Sequence, residues 1–258
     1  MSSSLPQRFR QLAVIPTAAE IDPERAGRAS TVVVVDILRA TTTILAALAA
    51  GAKRIIPLST VEEARILAST LRQNGEPLLL AGERGGKPLE GFDLGNSPQD
   101  FLPERVRGKT IVFTTTNGTL ALKRSATAGE LIAGAFGNAK AIWRHLQKTG
   151  GDAVIVCAGQ EGNRAGEDLL FAGWVASEAK RHEFTLDEPA QRARELWEDT
   201  ADHRTDLERR LSEVPHGHTL TQLGFASDIR FAAQWDTSQG IPRFSLDADQ
   251  EFLVGTLT

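Results

Sequence analysis

The chain has 258 residues, 41% of them hydrophobic and 24% charged, which is enough apolar material for one large globular core. A net charge of −4 gives no general attraction to nucleic acid or to anionic membranes. The single cysteine, Cys157, excludes an internal disulfide and a multi-cysteine zinc site and suits a reducing cytoplasm.

Met1 to Arg10 is polar and basic with no apolar segment behind it, so no signal peptide is expected. Leu12 to Ile15 reads as a first or edge strand and Pro16 to Arg28 as a polar loop. Val32 to Val35 is a run of valines, too short for a membrane span and too uniformly apolar for a half-exposed strand. It predicts a strand buried on both faces, as in the middle of a parallel sheet. The run ends at Asp36. Arg39 follows, then Thr41, Thr42 and Thr43 and an alanine-rich helix to Ala50, closed by Gly51.

Arg54 to Leu58 predicts another strand. Thr60 predicts the cap of a helix reaching Gln73, with Val61, Ala64, Leu67, Ala68 and Leu71 at helical spacing. Leu78 to Leu80 reads as a buried strand. Residues 81–103 are rich in glycine and lack periodicity, so they read as a long functional loop, with Leu89, Phe92 and Leu94 packing it back on the body. Lys109 to Phe113 is a strand running into Thr114-Thr-Thr-Asn-Gly-Thr119. Leu131 to Gly134 and Ala153 to Cys157 are further strands. Asn138 is expected to cap a helix over Ala139 to Lys148, and Glu167-Asp168 opens the last long helix.

Strand and helix alternate from 31 to 180, the pattern of an α/β fold with helices on both faces of a mainly parallel or mixed sheet. Residues 187–213 add a charged, peripheral helical excursion, and the tail ends in a short strand around Phe252 to Val254. No run approaches the roughly 20 apolar residues of a membrane helix, and no linker divides the chain, so residues 1–258 read as one domain.

Four strand ends carry the residues able to do chemistry: Asp36 with Arg39, Glu83 with Arg84, the threonine-rich turn ending in Asn117-Gly118, and Glu167 with Asp168. In a parallel sheet such ends converge on one cleft. Acids, arginines, hydroxyls and backbone donors together suit an anionic, phosphorylated small molecule with a divalent metal. The turn at 114–119 lacks the lysine of a phosphate loop and the spacing of a dinucleotide fingerprint. Blander readings compete: Asp36 capping its turn and pairing with Arg39, and Glu167 and Asp168 complementing a helix dipole. Cys157 reads as a small buried apolar residue. No histidine falls in this cluster. His145 and His182 lie on helices, His203 lies in the charged arm, and His216-Gly-His218 reads as a loop feature without a spaced third metal ligand.

Asp36-Ile-Leu-Arg-Ala-Thr-Thr-Thr43, Gly82-Glu-Arg-Gly-Gly86, Gly91-Phe-Asp-Leu-Gly-Asn-Ser-Pro98, Thr114-Thr-Thr-Asn-Gly-Thr119, Gly137-Asn138 and Glu167-Asp-Leu-Leu170 together resemble the 2-phosphosulfolactate phosphatase family. The similarity is densest from 32 to 173 and looser at Asp228-Ile-Arg-Phe231. The resemblance implies a three-layer α/β/α fold, dependence on Mg²⁺, a cytoplasmic enzyme that is a homodimer by family analogy, and hydrolysis of 2-phospho-3-sulfolactate to 3-sulfolactate and phosphate on a route to coenzyme M. The residues, read beside this resemblance, suggest a mechanistic hypothesis. Asp36 would bind metal or attack phosphorus, and Arg39 would neutralise the phosphoryl oxygens. Glu83 and Arg84 would close over the site, with Arg84 meeting an acidic substituent. Thr115, Thr116, Asn117 and Gly118 would hold phosphate, Asn96 and Asn138 would orient their neighbours, and Glu167 and Asp168 would complete the metal shell. Two rivals stand beside this reading: a non-catalytic sensor of a phosphorylated metabolite, and a nucleotide-dependent transferase. Carboxylates near the ligand speak against a metal-free sensor, and the missing phosphate-loop lysine speaks against the transferase.

Overall fold

The computed structural model describes residues 10–199, 206–249 and 251–258. The readings of Met1 to Arg10 as leaderless and of His203 as part of the arm fall wholly or mainly outside these. In chain order the elements are β1 (Gln11–Ile15), α1 (Pro23–Arg28), β2 (Thr31–Val35), α2 (Ala40–Ala49), β3 (Arg54–Pro57), α3 (Val61–Gln73), β4 (Leu78–Arg84), β5 (Lys87–Pro88), α4 (Pro103–Val106), β6 (Thr110–Thr114) and α5 (Gly118–Arg124). They continue with β7 (Leu131–Gly134), α6 (Ala139–Thr149), β8 (Ala153–Cys157), α7 (Gly166–Arg181), β9 (Thr185–Leu186), α8 (Glu188–Glu198), α9 (Leu207–Glu213), α10 (Pro215–Gln222), α11 (Ala226–Ala232), β10 (Pro242–Leu246) and β11 (Leu253–Leu257). A short 3-10 turn at Ala18–Glu20 and α1 replace the loop expected over 16–28.

The strands form one 11-stranded sheet in the order β5-β4-β6-β3-β11-β10-β7-β2-β8-β1-β9. The valines of β2 are buried on both faces, as their uniformity predicts. Val33 and Val35 enter the core under α6, α7 and α8, while Val32 and Val34 enter the core holding α2 and α5. Each fully buried valine contributes about 1.5–3 kcal/mol of hydrophobic stabilisation. Thr60 caps α3 through a reciprocal capping box with Glu63, and α3 covers Leu80 and Val112. Helices thus flank both faces of a mixed sheet.

The sheet is not one continuous parallel array. β4, β6 and β3 form one parallel block, and β7, β2, β8, β1 and β9 form another. The antiparallel hairpin β10–β11 is seated between them and pairs antiparallel with both β7 and β3. The two blocks therefore run in opposite senses through the pairing order. Residues just past the carboxyl ends of β2 and β6 nevertheless border the same cavity. Between β2 and β6 lie five strand steps, about 24 Å in a flat sheet, and the usual twist over those steps amounts to roughly 100–125°. α2 packs against β3, β7, β10 and β11, and α5 touches both β2 and β3, so the two helices bridge the two blocks.

The glycine-rich stretch also differs from its sequence reading. β4 continues through Glu83 to Arg84 and turns back as β5. The turn residues Gly85 and Gly86 have φ of 58° and 80°, the left-handed backbone that a tight hairpin turn requires and glycine supplies at little cost. The charged excursion is seen as α8 and α9, and Trp197, Leu207 and Leu211 are buried in the main core.

Candidate active site

Asp36 follows directly on β2. Its main chain and that of Thr41 are tied by the Thr41 hydroxyl, and its Oδ1 accepts the Ala40 N–H at 3.1 Å. Asp36 therefore does cap its turn. Its Oδ2 accepts no hydrogen bond from the described residues and lies against Gly118, where an added Cβ would sit 2.6 Å from Oδ2 and 2.5 Å from the Ala40 Cβ. Only glycine permits that approach. Asp36 is 8% exposed. Its carboxyl is pushed up to about 6, chiefly by burial; the charge of His216 and the Ala40 N–H work against this rise, and the charges of Glu83 and Glu167 add to it.

Arg39 pairs with Asp228, not with Asp36. Its Nη1 donates to Asp228 Oδ2 at 2.7 Å and its Nη2 to the Gly86 carbonyl at 2.7 Å, and the guanidinium lies 4.4 Å from the centre of the Phe225 ring. Glu83 uses both oxygens to join two loops. Oε1 accepts from the Thr116 N–H and hydroxyl at 2.9 and 3.1 Å, and Oε2 accepts from the Gly86 N–H at 2.7 Å. Asp36, Arg39, Glu83, Gly86, Asn96, Thr116 and Asn117 border one cavity of about 260 Å³, together with Gln160, His216 and Thr219. The side chain of Asn96 is buried at its edge with Oδ1 unpartnered.

Other expectations are corrected. Arg84 turns away from the cavity, donating to the carbonyls of Glu83 and Ser59 and to the Thr114 hydroxyl, so it does not face an acidic substituent. Thr115 is buried in reciprocal bonds with Thr119, and the Thr116 N–H is already given to Glu83, so the threonine turn offers less free backbone than a phosphate cradle needs. Asn138 lies in the core, accepting from the Ala135 N–H and donating to the Ala133 and Gly240 carbonyls; it neither caps α6 with its side chain nor reaches the cavity.

Asp168 ties β2 to β8. Its two oxygens accept the N–H groups of Ile37 and Gly159 at 2.9 and 3.0 Å, and burial, with the charges of Glu167 and Asp36, pushes its carboxyl well above the ordinary range. Glu167 Oε1 meets His216 Nδ1 at 3.1 Å. Among the described residues no three histidine, cysteine or acidic side chains converge as a metal-ligand set. Asp36, Glu167 and Asp168 are therefore not a ready-made metal cage.

Two residues at the site were not anticipated. His216 opens α10 beside Asp36. Burial disfavours its charged form, but the hydrogen bond and charge of Glu167, helped by Asp36, outweigh that and the charge of Arg39 and hold its pKa above the ordinary value. Asp228, wholly buried on α11, holds Arg39. The signals were faint: a glycine inside a helix at Gly217, where a Cβ would collide with the Leu211 carbonyl, and an aspartate one residue before Ile229 on a short helix that follows Phe225 and carries Phe231.

The family model for 2-phosphosulpholactate phosphatase matches residues 15–246. The chain belongs to the 2-phosphosulpholactate phosphatase family. Similar proteins named "Probable 2-phosphosulfolactate phosphatase" include one from Caldanaerobacter subterraneus subsp. tengcongensis, 42% identical over 82% of this chain and 86% of its own. Another from Pseudothermotoga lettingae is 38% identical over 87% and 94%. A third from Clostridium acetobutylicum is 32% identical over 90% and 96%. All the sequence segments that carried the resemblance lie within the matched region. Among the described residues no helix is long and apolar enough to cross a membrane.

Proposed function

We propose that this chain hydrolyses the phosphate monoester of a small acidic 2-hydroxy acid, 2-phospho-3-sulfolactate or a close relative, releasing the alcohol and inorganic phosphate. The observation that carries the proposal is Asp36. It is a buried carboxylate with one oxygen held by Ala40, the other unbonded among the described residues, and a pKa of about 6, bordering a cavity that also presents Arg39. A carboxylate so placed is ionised at neutral pH and retains more proton affinity than an ordinary aspartate. Family membership supplies the reaction class.

In this reading Asp36 Oδ2 attacks phosphorus. A new P–O bond forms, the bond to the substrate alkoxide breaks, and that alkoxide takes a proton from solvent; water then attacks phosphorus, breaking the bond to Asp36 Oδ2 and releasing inorganic phosphate. Arg39 meets the charge that builds on the phosphoryl oxygens, and its fixed guanidinium needs little reorganisation as that charge develops. Glu83 anchors the Gly85–Gly86 turn over the cavity and holds Thr116 in place, while Asn96, Asn117 and Thr219 give polar contacts to the acid substituents. Mg²⁺ is commonly held by one or two carboxylates together with water and substrate phosphate. Asp36, a cavity carboxylate, would be such a ligand in the alternative route in which water rather than Asp36 Oδ2 attacks phosphorus. When bound, the metal would neutralise phosphate charge.

The test is phosphate release from purified protein with racemic phosphosulfolactate and with phospholactate, with Mg²⁺ and then with chelator. Metal-dependent release that favours the sulfonate is expected. Release without that preference would overturn the substrate and keep the reaction. Tight binding without turnover would replace the enzyme by a sensor. Hydroxylamine trapping after brief exposure to substrate is expected to yield an Asp36 adduct; direct attack by water predicts none.

A further inference from the structure

We propose that Asp228 is a positioning residue for Arg39, and through it that the helices following the charged arm are part of the catalytic apparatus. This rests on the reading of Arg39 as the group that meets the transferring phosphoryl oxygens. Arg39 is only 3% exposed, yet it borders the cavity. A long side chain in that position loses rotamer entropy when it meets substrate, unless something has already fixed it. Three contacts do so here: the ion pair with Asp228, the Gly86 carbonyl, and the face of Phe225. Two of the three come from α11 and the residue just before it.

Asp228 is itself held. It is fully buried, and its other oxygen, Oδ1, accepts the Ser97 hydroxyl at 2.6 Å and the Gln99 side-chain N–H at 3.3 Å. Both carboxylate oxygens are thus committed, and each has one direction to serve. The alternative is a structural staple, since a buried ion pair that loses one partner is strongly destabilising wherever it lies. The location separates the readings. A staple needs no cationic partner at a reaction cavity, whereas this aspartate spends its charge on the arginine that borders one. With Nη1 and Nη2 each holding a fixed partner, the remaining guanidinium N–H groups keep a set direction. A displacement of about 1 Å in such a group can cost on the order of 100-fold in rate.

The experiment is a double-mutant cycle on Arg39→Ala and Asp228→Asn, read as kcat and KM with phosphosulfolactate or whichever ester is turned over, with thermal midpoints measured in parallel. Asp228→Asn is expected to lower kcat by about 10–100-fold with a smaller change in KM. In the Arg39→Ala background it should remove little further activity. Low concentrations of guanidinium ion should restore part of the activity of Arg39→Ala, by docking against Asp228, and none of the activity of the double variant. Losses that multiply, guanidinium rescue that is unaffected by Asp228→Asn, or an Asp228→Asn enzyme within twofold of wild type would each overturn the inference. Should Asp228→Asn fail to fold, Ser97→Ala removes one donor to Asp228 and leaves the ion pair. A several-fold fall in kcat is then expected, and an unchanged kcat overturns the inference. Near-normal turnover by Arg39→Ala alone would instead refute the reading of Arg39. An inactive Arg39→Ala beside a fully active Asp228→Asn would refute only the role of Asp228.

Discussion

Asp36→Asn should make the protein more stable while removing its turnover. The Asp36 carboxyl titrates at about 6 in the folded protein against an ordinary 3.8, chiefly through burial. Between those values the folded state binds more protons than the unfolded chain. Stability therefore falls as pH rises through the window from about 4 to 6. Above it, the ionised carboxylate costs about 3 kcal/mol, from roughly two pKa units at about 1.4 kcal/mol each. Below about pH 4 the cost is gone. Asparagine has the same shape, keeps an oxygen for the Ala40 N–H and carries no charge. The attraction to His216 is already contained in that pKa, and the new amide N–H in place of Oδ2 needs an acceptor that the ionised group did not, so the expected net gain is about 1–3 kcal/mol at pH 8. For a chain of this size that is a rise of about 3–10 °C in Tm, shrinking towards zero at pH 4. Urea and thermal unfolding of both proteins at the two pH values would measure it. A variant less stable than wild type at pH 8, or one with the same gain at both pH values, would refute the reasoning.

Turnover should depend on the same group. Because ionised Asp36 is the active form, kcat/KM should fall about tenfold per unit as pH drops below about 6; a profile flat down to pH 4.5 would take Asp36 out of the rate equation. Gly118→Ala places a methyl group against Asp36 Oδ2 and the Ala40 Cβ. It should cost about 1–3 kcal/mol of stability by overpacking and lower kcat at least tenfold, both read from one purified variant; a silent substitution would mean the contact is looser than described. Arg84→Ala should leave KM within about threefold of wild type, since Arg84 serves Ser59 and Thr114 outside the cavity; a large rise in KM would restore it to the substrate.

What the sequence reveals depends on how local each cause is. The valines of β2, the capping box at Thr60 and the residues just past strand ends obey short-range rules, and Asp36, Glu83, Thr116 and Asn117 were found that way. The glycine-rich stretch misled because glycine has two uses. Gly85 and Gly86 make a turn, but Gly82 lies within a strand, where a Cβ would strike the Thr114 carbonyl. β10 escaped notice because its strand begins with a proline and is half exposed, with a burial pattern set by its neighbours. Arg84 and Asn138 stand in conspicuous motifs, yet their side chains point into other contacts. No local pattern separates a motif residue that faces the cavity from one that braces it. His216 and Asp228 come from helices folded back over the sheet from far along the chain, so only tertiary structure brings them to Asp36 and Arg39.

The hairpin β10–β11 has a consequence for how the molecule is made. Residues 54–114 hold every strand of one parallel block, β3, β4 and β6, together with the short antiparallel β5, and residues 11–186 supply the other block. The inward-facing borders of β3 and β7 receive their partners only from Pro242–Leu257. During synthesis, both borders stand as bare, apolar strand edges from the completion of β7 at Gly134 until Pro242 emerges, and bare edges recruit other chains. Removing the hairpin would not trim the sheet at its margin. It would cut the sheet in two, leaving Asp36 on one fragment of the fold and Glu83 on the other. Solubility on expression and catalytic competence should therefore be lost together when that hairpin is disturbed, although no residue of it borders the cavity.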